Sequence, residues 1–189
     1  ASCGVSRRPS WTMATSNFVN TFSANASILI DGTLSPGSNG PLAVIPGDVD
    51  WFSFTITNTG VFVASIFTLT PPSGNYIPDS QLILVNALGA MLATNDDGNP
   101  GGGSQYMSSI APITLAAGTY YIGVTGYNDL NLSGNTLGTV LPDGLNASGS
   151  AHTENFDYKL IIGINIVPAP ASAALLGVFG LAAGRRRRA

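Results

Sequence analysis

The fold is decided by the stretch Gly47-Asp48-Val49-Asp50-Trp51-Phe52-Ser53-Phe54-Thr55-Ile56-Thr57. After Asp50 the side chains alternate with a period of two, which is typical of a β-strand that buries one face against another layer. The alternating sets are Phe52, Phe54 and Ile56 on one side and Trp51, Ser53, Thr55 and Thr57 on the other. Two carboxylates, Asp48 and Asp50, mark the strand entry directly after the turn signal Pro46-Gly47.

Similar strand patterns recur along the chain, separated by turns rich in Gly, Asn, Ser and Pro. Further strands are predicted at 22–33, 61–70, 81–85, 91–94, 107–115, 119–127 and 156–167. The turns at 58–60 and 86–89 predict two hairpins, and residues 128–151 form a long insertion. The sequence therefore predicts an all-β fold, a β-sandwich or jelly-roll of about eight strands.

Composition agrees with this prediction. A chain of 189 residues is long enough for one domain with its own core. Charged residues make up 9% of the chain, too few for the polar faces of amphipathic surface helices. Cys3 is the single cysteine, so no disulfide can form within the chain.

The charge is distributed unevenly. Outside the run Arg185 to Arg188, three basic residues stand against ten acidic ones, so that part of the chain has a net charge of −7. Such a surface repels nucleic acid and anionic membranes and attracts cations, and we expect no nucleic-acid partner.

Residues that could carry catalysis are scarce. His152 is the single histidine, near Glu154 and Asp157, and no Gly-x-Ser-x-Gly motif accompanies it. We therefore interpret His152 as a solvated loop residue before the last strand. One His and one Cys cannot supply the three or four ligands of a zinc site. Because the sequence shows neither a hydrolytic motif nor a zinc site, it predicts that the protein is not an enzyme.

Calcium is the one cofactor for which the sequence offers ligands. Calcium prefers oxygen ligands such as carboxylates, and candidate ligands stand at strand entries and in loops. The candidates are Asp48, Asp50, Asp79, Asp96 and Asp97, with Asn95 and Asn99 beside the last two. The alternative is that these residues shape turns through local backbone hydrogen bonds, because no complete twelve-residue calcium loop is present.

Three ordered blocks carry a family resemblance. They are Gly47-Asp48-Val49-Asp50-Trp51-Phe52-Ser53-Phe54, then residues 79–97 with Asp79-Ser80-Gln81-Leu82-Ile83-Leu84 and Leu92-Ala93-Thr94-Asn95-Asp96-Asp97, then Leu115-Ala116-Ala117-Gly118-Thr119-Tyr120-Tyr121-Ile122-Gly123-Val124. Together they make residues 22–167 resemble the bacterial pre-peptidase C-terminal domain, a secreted β-sandwich appended to proteases and surface proteins. The resemblance implies calcium in some members, bound between an acidic segment and the Gly-Asp-x-Asp turn. Here Ser16-Asn17-Phe18 stands where that acidic segment would fall.

The end of the chain resembles a PEP-CTERM sorting signal. Its elements are Pro168, Pro170, an apolar run over 171–184, and the basic cluster Arg185, Arg186, Arg187 and Arg188. The resemblance implies a short hydrophobic helix and removal of the tail by exosortase, a membrane transpeptidase, although Ala169 replaces the usual Glu. The apolar run has fourteen residues, fewer than the ~20 of a full membrane span, but the arginines fit the positive-inside rule.

These patterns divide the chain into a flexible N-terminal arm (1–21), a β-sandwich domain (22–167) and a sorting signal (168–189). They predict an exported, non-enzymatic protein at the outer surface or in the extracellular matrix of a Gram-negative-type bacterium, held transiently at the inner membrane and processed by exosortase. Its role would be structural or adhesive. The alternative is a calcium-dependent binding module for polysaccharide or another surface protein.

Overall fold

The computed structural model describes residues 12–36, 38–39, 44–45, 47–68, 77–98, 106–127, 129, 132, 136–141, 144 and 152–168. A short 3-10 helix, Met13–Thr15, precedes the strands. The strands are β1 (Asn17–Phe22), β2 (Ala26–Leu34), β3 (Ser38–Asn39), β4 (Val44–Ile45), β5 (Asp50–Ile56), β6 (Gly60–Phe67), β7 (Ser80–Asn86), β8 (Met91–Asn95), β9 (Ser109–Leu115), β10 (Gly118–Gly126) and β11 (Phe156–Ile166).

Nine of these strands form two main sheets. The five-stranded sheet has the order β1-β5-β10-β7-β8, and the four-stranded sheet has the order β2-β11-β6-β9. β1 runs parallel to β5, whereas the other pairs within the two sheets are antiparallel. β3 and β4 pair only with each other. The predicted all-β, two-layer fold is confirmed.

The core between the sheets is centred on Phe54 of β5. Its ring stacks on Phe62 from the opposite sheet, with centroids 5.3 Å apart and planes within 6°. Phe22 meets it edge-on at 6.1 Å, and Tyr120 lies 5.8 Å away. Each aromatic pair adds about 0.5–1.5 kcal/mol beyond the burial of its area. The inward face predicted for Phe52, Phe54 and Ile56 is therefore confirmed.

The outer face of the five-stranded sheet is also covered, which the alternation of β5 did not predict. A second, smaller core lies there and comprises Met13, Val49, Trp51, Ile83, Val85, Met91, Leu132 and Leu141. Met13 comes from the 3-10 helix, and Leu132 and Leu141 come from the predicted insertion. Because these segments fold back over the sheet, β5 is buried on both faces, with Trp51 fully enclosed.

The prediction that residues 1–21 form a flexible arm is wrong for residues 12–21. Met13–Thr15 is helical, and β1 begins at Asn17 and pairs with β5 from Asn17↔Phe52 to Phe22↔Ile56. The side chains of Met13 and Phe22 are buried, one in each core. The segment is too short to show a period, so its burial depends on the sheet it joins. Residues 1–11 lie outside the described part of the chain.

One of the two predicted hairpins is wrong. β5 and β6 follow each other closely, but β5 pairs with β1 and β10, whereas β6 pairs with β11 and β9. The turn at 57–59 therefore carries the chain from one sheet to the other, because both strands bury an aromatic face in the same central core. The second hairpin, β7 to β8, is confirmed and turns at Gly89, whose φ is +78°.

The predicted sorting signal falls largely outside the described residues, which end at Pro168. Within the part of the chain that the structure describes, no helix is long and apolar enough to span a bilayer.

Candidate functional site

The topology brings the candidate calcium ligands to one end of the five-stranded sheet. β5 and β7 both begin at this end, and β10 runs between them and ends there, since Val124 is paired with Asp50 and Gly126 with Ser80. β8 also ends there, where Asn95 pairs with Leu82. We call this the acidic end, and it carries Asp48, Asp50, Asp79, Asp96 and Asp97.

Asp50 lies at the edge of the central core. Its carboxylate is buried, and the hydroxyl of Tyr158 on β11 donates a hydrogen bond of 2.6 Å to its Oδ2. Burial raises the pKa of Asp50 to about 7; the Tyr158 hydrogen bond lowers it, and the negative charge of Asp48 adds to the rise. Tyr158 reaches Asp50 across Gly32, where any side chain would overlap the phenol ring.

Asp48 is 4% exposed and is held mainly through its backbone. Its N–H donates to the carbonyl of Ser35 at 3.1 Å, and its own carbonyl accepts from the Thr125 hydroxyl at 3.3 Å. Burial raises the pKa of its carboxyl, against the charge of His152 and backbone hydrogen bonds from Ser35 and Val49. Among the described residues, Asp48 Oδ1 has no hydrogen-bond partner.

The interpretation of His152 as a solvated loop residue is wrong. Its side chain is 4% exposed, and Nε2 lies 3.0 Å from the carbonyl oxygen of Asp48. The ring packs on the backbone of Gly126, where an added Cβ would come within 2.6 Å of Nδ1. A glycine at the end of β10 therefore gives the segment before β11 room to cross the acidic end.

The same segment also meets Asp79. Glu154 accepts a hydrogen bond of 2.9 Å from the backbone N–H of Asp79, and it too packs against Gly126. Burial raises the pKa of Asp79 to about 7, and the charges of Glu154, Asp97 and Asp96 raise it further. Asp96 and Asp97 themselves are exposed.

The described residues do not fit a calcium cage. Calcium takes six to eight oxygens at about 2.4 Å, and protein sites usually supply carboxylates together with carbonyl oxygens around one point. No three His, Cys, Asp or Glu side chains in the described ranges are grouped closely enough to hold a metal. Asp48 and Asp50 lie on one side of β10, and Asp79 lies on the other. Asn95 Oδ1 already accepts from the Ser109 N–H at 3.0 Å, and Asn99 is outside the described part. Calcium binding at the five aspartates stays a prediction.

Much of the acidic end belongs to a stretch of sequence that matches a known family. Residues 48–126 match the family model of the bacterial pre-peptidase C-terminal domain. The match spans β5 to β10 and so includes the strands that form the acidic end on the five-stranded sheet. His152, Glu154 and Tyr158, which close this end from β11 and the segment before it, lie beyond it.

A search of curated proteins found no match. Among solved structures, the chain is similar to the pre-peptidase C-terminal domain of a collagenase from Bacillus anthracis, with 15% sequence identity and a TM-score of 0.40. The alignment covers 78% of this chain and 93% of that one.

Sequence reasoning missed the roles of Tyr158, Gly32 and Gly126. Alternation in the last strand places Tyr158 on the buried face, but nothing in the sequence pairs its hydroxyl with Asp50, 108 residues earlier. Gly32 belongs to an Asp-Gly pair that predicts a turn, whereas it lies inside β2. The cross-strand pair Tyr158↔Gly32 explains why a glycine stands there.

Proposed function

We propose that this chain is an exported, non-catalytic protein of the surface or extracellular matrix of a Gram-negative-type bacterium, with a structural or adhesive role. The observation that carries the proposal is the match of residues 48–126 to the pre-peptidase C-terminal domain, a type of extracellular domain. The two-sheet fold of the described residues supports it.

The state of the polar side chains supports a non-catalytic role. A hydrolytic site needs a nucleophile, a base and access for substrate. His152 is buried against Asp48, and its Nε2 is engaged by a backbone carbonyl. Ser80 and Ser108 lie 3.0 Å apart, but both are fully buried and bonded to each other. Neither arrangement offers a group that substrate could reach.

The last described residues are bonded to the domain just before the predicted sorting signal. Val167 donates its N–H to the carbonyl of Thr59 at 2.9 Å, directly after β11. Pro168 has no N–H to continue this pairing. In our proposal the tail that follows, with Pro170 and Arg185 to Arg188, is presented to exosortase at the inner membrane and removed, and this makes exosortase and the membrane transient partners.

The test is the intact mass of the protein recovered from its native surface. Loss of the residues after about Val167 is expected if the tail is a sorting signal. Changing Arg185 to Arg188 to glutamate should leave unprocessed protein at the inner membrane, because the positive-inside anchor is reversed. The matched control is glutamate at Arg7 and Arg8, which should mature normally. Normal maturation of the tail variant would contradict the proposal.

The alternative interpretation is a calcium-dependent module that binds polysaccharide or another surface protein. It rests on the same family match and on the acidic end. Because the described residues do not gather into a metal cage, we place it second.

A further inference from the structure

At the acidic end the Tyr158 hydroxyl meets the Asp50 carboxylate and His152 Nε2 meets the Asp48 carbonyl, two oxygens that a bound cation could otherwise take. The family resemblance implies calcium between an acidic N-terminal segment and the Gly-Asp-x-Asp turn. In this chain that N-terminal segment does lie beside β5, since β1 starts at Asn17 opposite Phe52. It brings the uncharged Ser16 and Asn17 rather than carboxylates.

Asp50 is satisfied from within the fold. The Tyr158 hydroxyl donates to Oδ2 at 2.6 Å, and both side chains are buried. Hydrogen bonds to a carboxylate are the strong kind, and a buried carboxylate without a donor is costly. The glycine at position 32 is what lets the phenol ring lie across β2 to reach Asp50.

Asp48 is approached by His152. The ring stands 3.0 Å from the Asp48 carbonyl through Nε2, and its charge acts on the carboxyl of the same residue. His152 is fixed there by packing on Gly126. Because a carbonyl oxygen can only accept, Nε2 donates here, and this donor takes an oxygen that a cation could otherwise bind.

Two carboxylate oxygens remain without a partner among the described residues, and they belong to segments on opposite sides of β10. Asp48 Oδ1 and Asp79 Oδ1 lack partners among the described residues. β10 separates β5 and β7, which Asp48 and Asp79 precede, and no three His, Cys, Asp or Glu side chains of the described residues gather to hold a metal there. Glu154 lies beside Asp79, where its carboxylate accepts the Asp79 N–H.

We infer that Tyr158 and His152 take the place of a divalent cation at the acidic end, so that this domain folds and stays folded without calcium. The inference stands apart from the sorting proposal, because a chain that fails one test can still pass the other. By this inference, Tyr158 and His152 at the acidic end distinguish this chain from a calcium-dependent module.

The first experiment compares thermal unfolding of the 189-residue chain in EDTA and in about 10 mM calcium at constant ionic strength and neutral pH. A site with a dissociation constant of about 0.1 mM would raise the unfolding temperature by about 5 °C or more. We expect a change below about 1 °C. A rise that Asp48→Asn or Asp50→Asn removes would overturn the inference and reinstate the calcium module.

Terbium gives a second readout that does not depend on stability. Tyr158 touches Asp50, so a lanthanide bound between Asp48 and Asp50 would be excited through the tyrosine ring. We expect no saturable terbium luminescence from the wild-type chain. Saturable luminescence that calcium displaces and Asp50→Asn abolishes would also overturn the inference.

Tyr158→Phe tests the role of the donor. The variant leaves the Asp50 carboxylate buried without its hydrogen bond, so we expect a lower unfolding temperature that calcium partly restores. Tyr120→Phe is the matched control, because this buried tyrosine donates to the Ala116 carbonyl at 2.9 Å, and its loss should give no response to calcium. If Tyr158→Phe is as indifferent to calcium as Tyr120→Phe, Tyr158 does not stand in for a cation. Should Tyr158→Phe fail to fold in EDTA, folding on addition of calcium is the expected result.

Discussion

At the scale of single residues, the contact between Tyr158 and Asp50 depends on the absence of a side chain at position 32. Gly32 pairs directly with Tyr158 across β2 and β11, and the phenol ring occupies the space that a Cβ would take. The residue therefore matters for the room it leaves rather than for its backbone freedom. A backbone position in one sheet thus fixes the geometry of a carboxylate in the other.

We expect Gly32→Ala to lower the free energy of unfolding by about 2–3 kcal/mol, because the methyl group displaces Tyr158 and leaves Asp50 without its donor. Urea unfolding measures the loss. Gly118→Ala is the control: its added Cβ would meet nothing closer than 3.6 Å, so its stability should change by less than about 0.5 kcal/mol. Equal stability of the two variants would contradict the role assigned to Gly32.

The raised pKa of Asp50 predicts that the stability of the protein falls as pH rises. Burial raises its pKa from 3.8 to about 7 in the folded protein, so between these values the folded state holds more protons than the unfolded state. The stabilisation from this protonation is complete below about pH 4 and is lost as pH rises through 7. We expect the free energy of unfolding to fall by up to about 4 kcal/mol over this range.

Asp50→Asn should remove most of this slope, because the amide is neutral at every pH. Thermal unfolding of both proteins from pH 4.5 to pH 8, roughly, is the measurement. Asp79→Asn is a useful comparison, since the pKa of Asp79 is also raised to about 7 but its side chain is only partly buried. Its effect should be smaller owing to solvent screening. A wild-type slope that Asp50→Asn leaves unchanged would rule out Asp50 as its source.

At the scale of elements, the 3-10 helix Met13–Thr15 acts as a cover for the five-stranded sheet. Met13 is buried in the same cluster as Trp51 and Val49, on the sheet face that points away from the central core. Leu132 and Leu141 complete the cover. Strands that alternate large aromatic and small polar residues normally expose such a face to solvent. Here the 3-10 helix and the segment that contains Leu132 and Leu141 exclude water from it.

Met13→Ala should cost about 2 kcal/mol of unfolding free energy and shift the emission of Trp51 to longer wavelength, because water reaches the indole. The measurement needs a Trp11→Phe background, since the chain has two tryptophans. Ala14→Ser, a change at an exposed neighbour, is the control and should alter neither signal. Unchanged emission in Met13→Ala would mean that the helix does not shield Trp51.

At the scale of the whole molecule, the strands of the two main sheets form one unit around a central core, and Val167 is bonded to this unit directly after β11. β11 is central to this unit, because it pairs with β2 on one side and with β6 on the other. The two cores lie on opposite faces of the five-stranded sheet and share its strands. The acidic end lies at the junction of the strand entries with the segment that leads into β11.

A chain that ends at Pro168 should therefore unfold within about 1 °C of the full chain, since no residue of either core lies beyond Ile166 among the described residues. Differential scanning calorimetry of the two chains is the measurement. A truncated chain that also loses Val167 and Ile166 is the control and should be less stable, because the bond from Val167 to Thr59 is removed. A drop of more than about 5 °C at Pro168 would show that the tail belongs to the domain.

The sequence by itself determined most strands of the two sheets and the face of β5 that meets the central core. Alternation in Phe52, Phe54 and Ile56 depends on neighbours two residues apart, so it can be read locally. The turn at Gly89 is likewise local, as its positive φ favours glycine. The acids at strand entries could also be found, because a carboxylate next to a turn signal is visible in one short stretch.

Only the tertiary structure decided how the strands pair and what the acids do. The chain passes from one sheet to the other between β5 and β6, because each of these strands pairs with strands that are distant in the sequence. No local pattern encodes which strands pair. His152 and Tyr158 acquire their roles only when β11 docks and places them on Asp48 and Asp50. The physical reason is that burial, pKa and hydrogen-bond satisfaction depend on contacts between distant segments, whereas periodicity records only which way each side chain points.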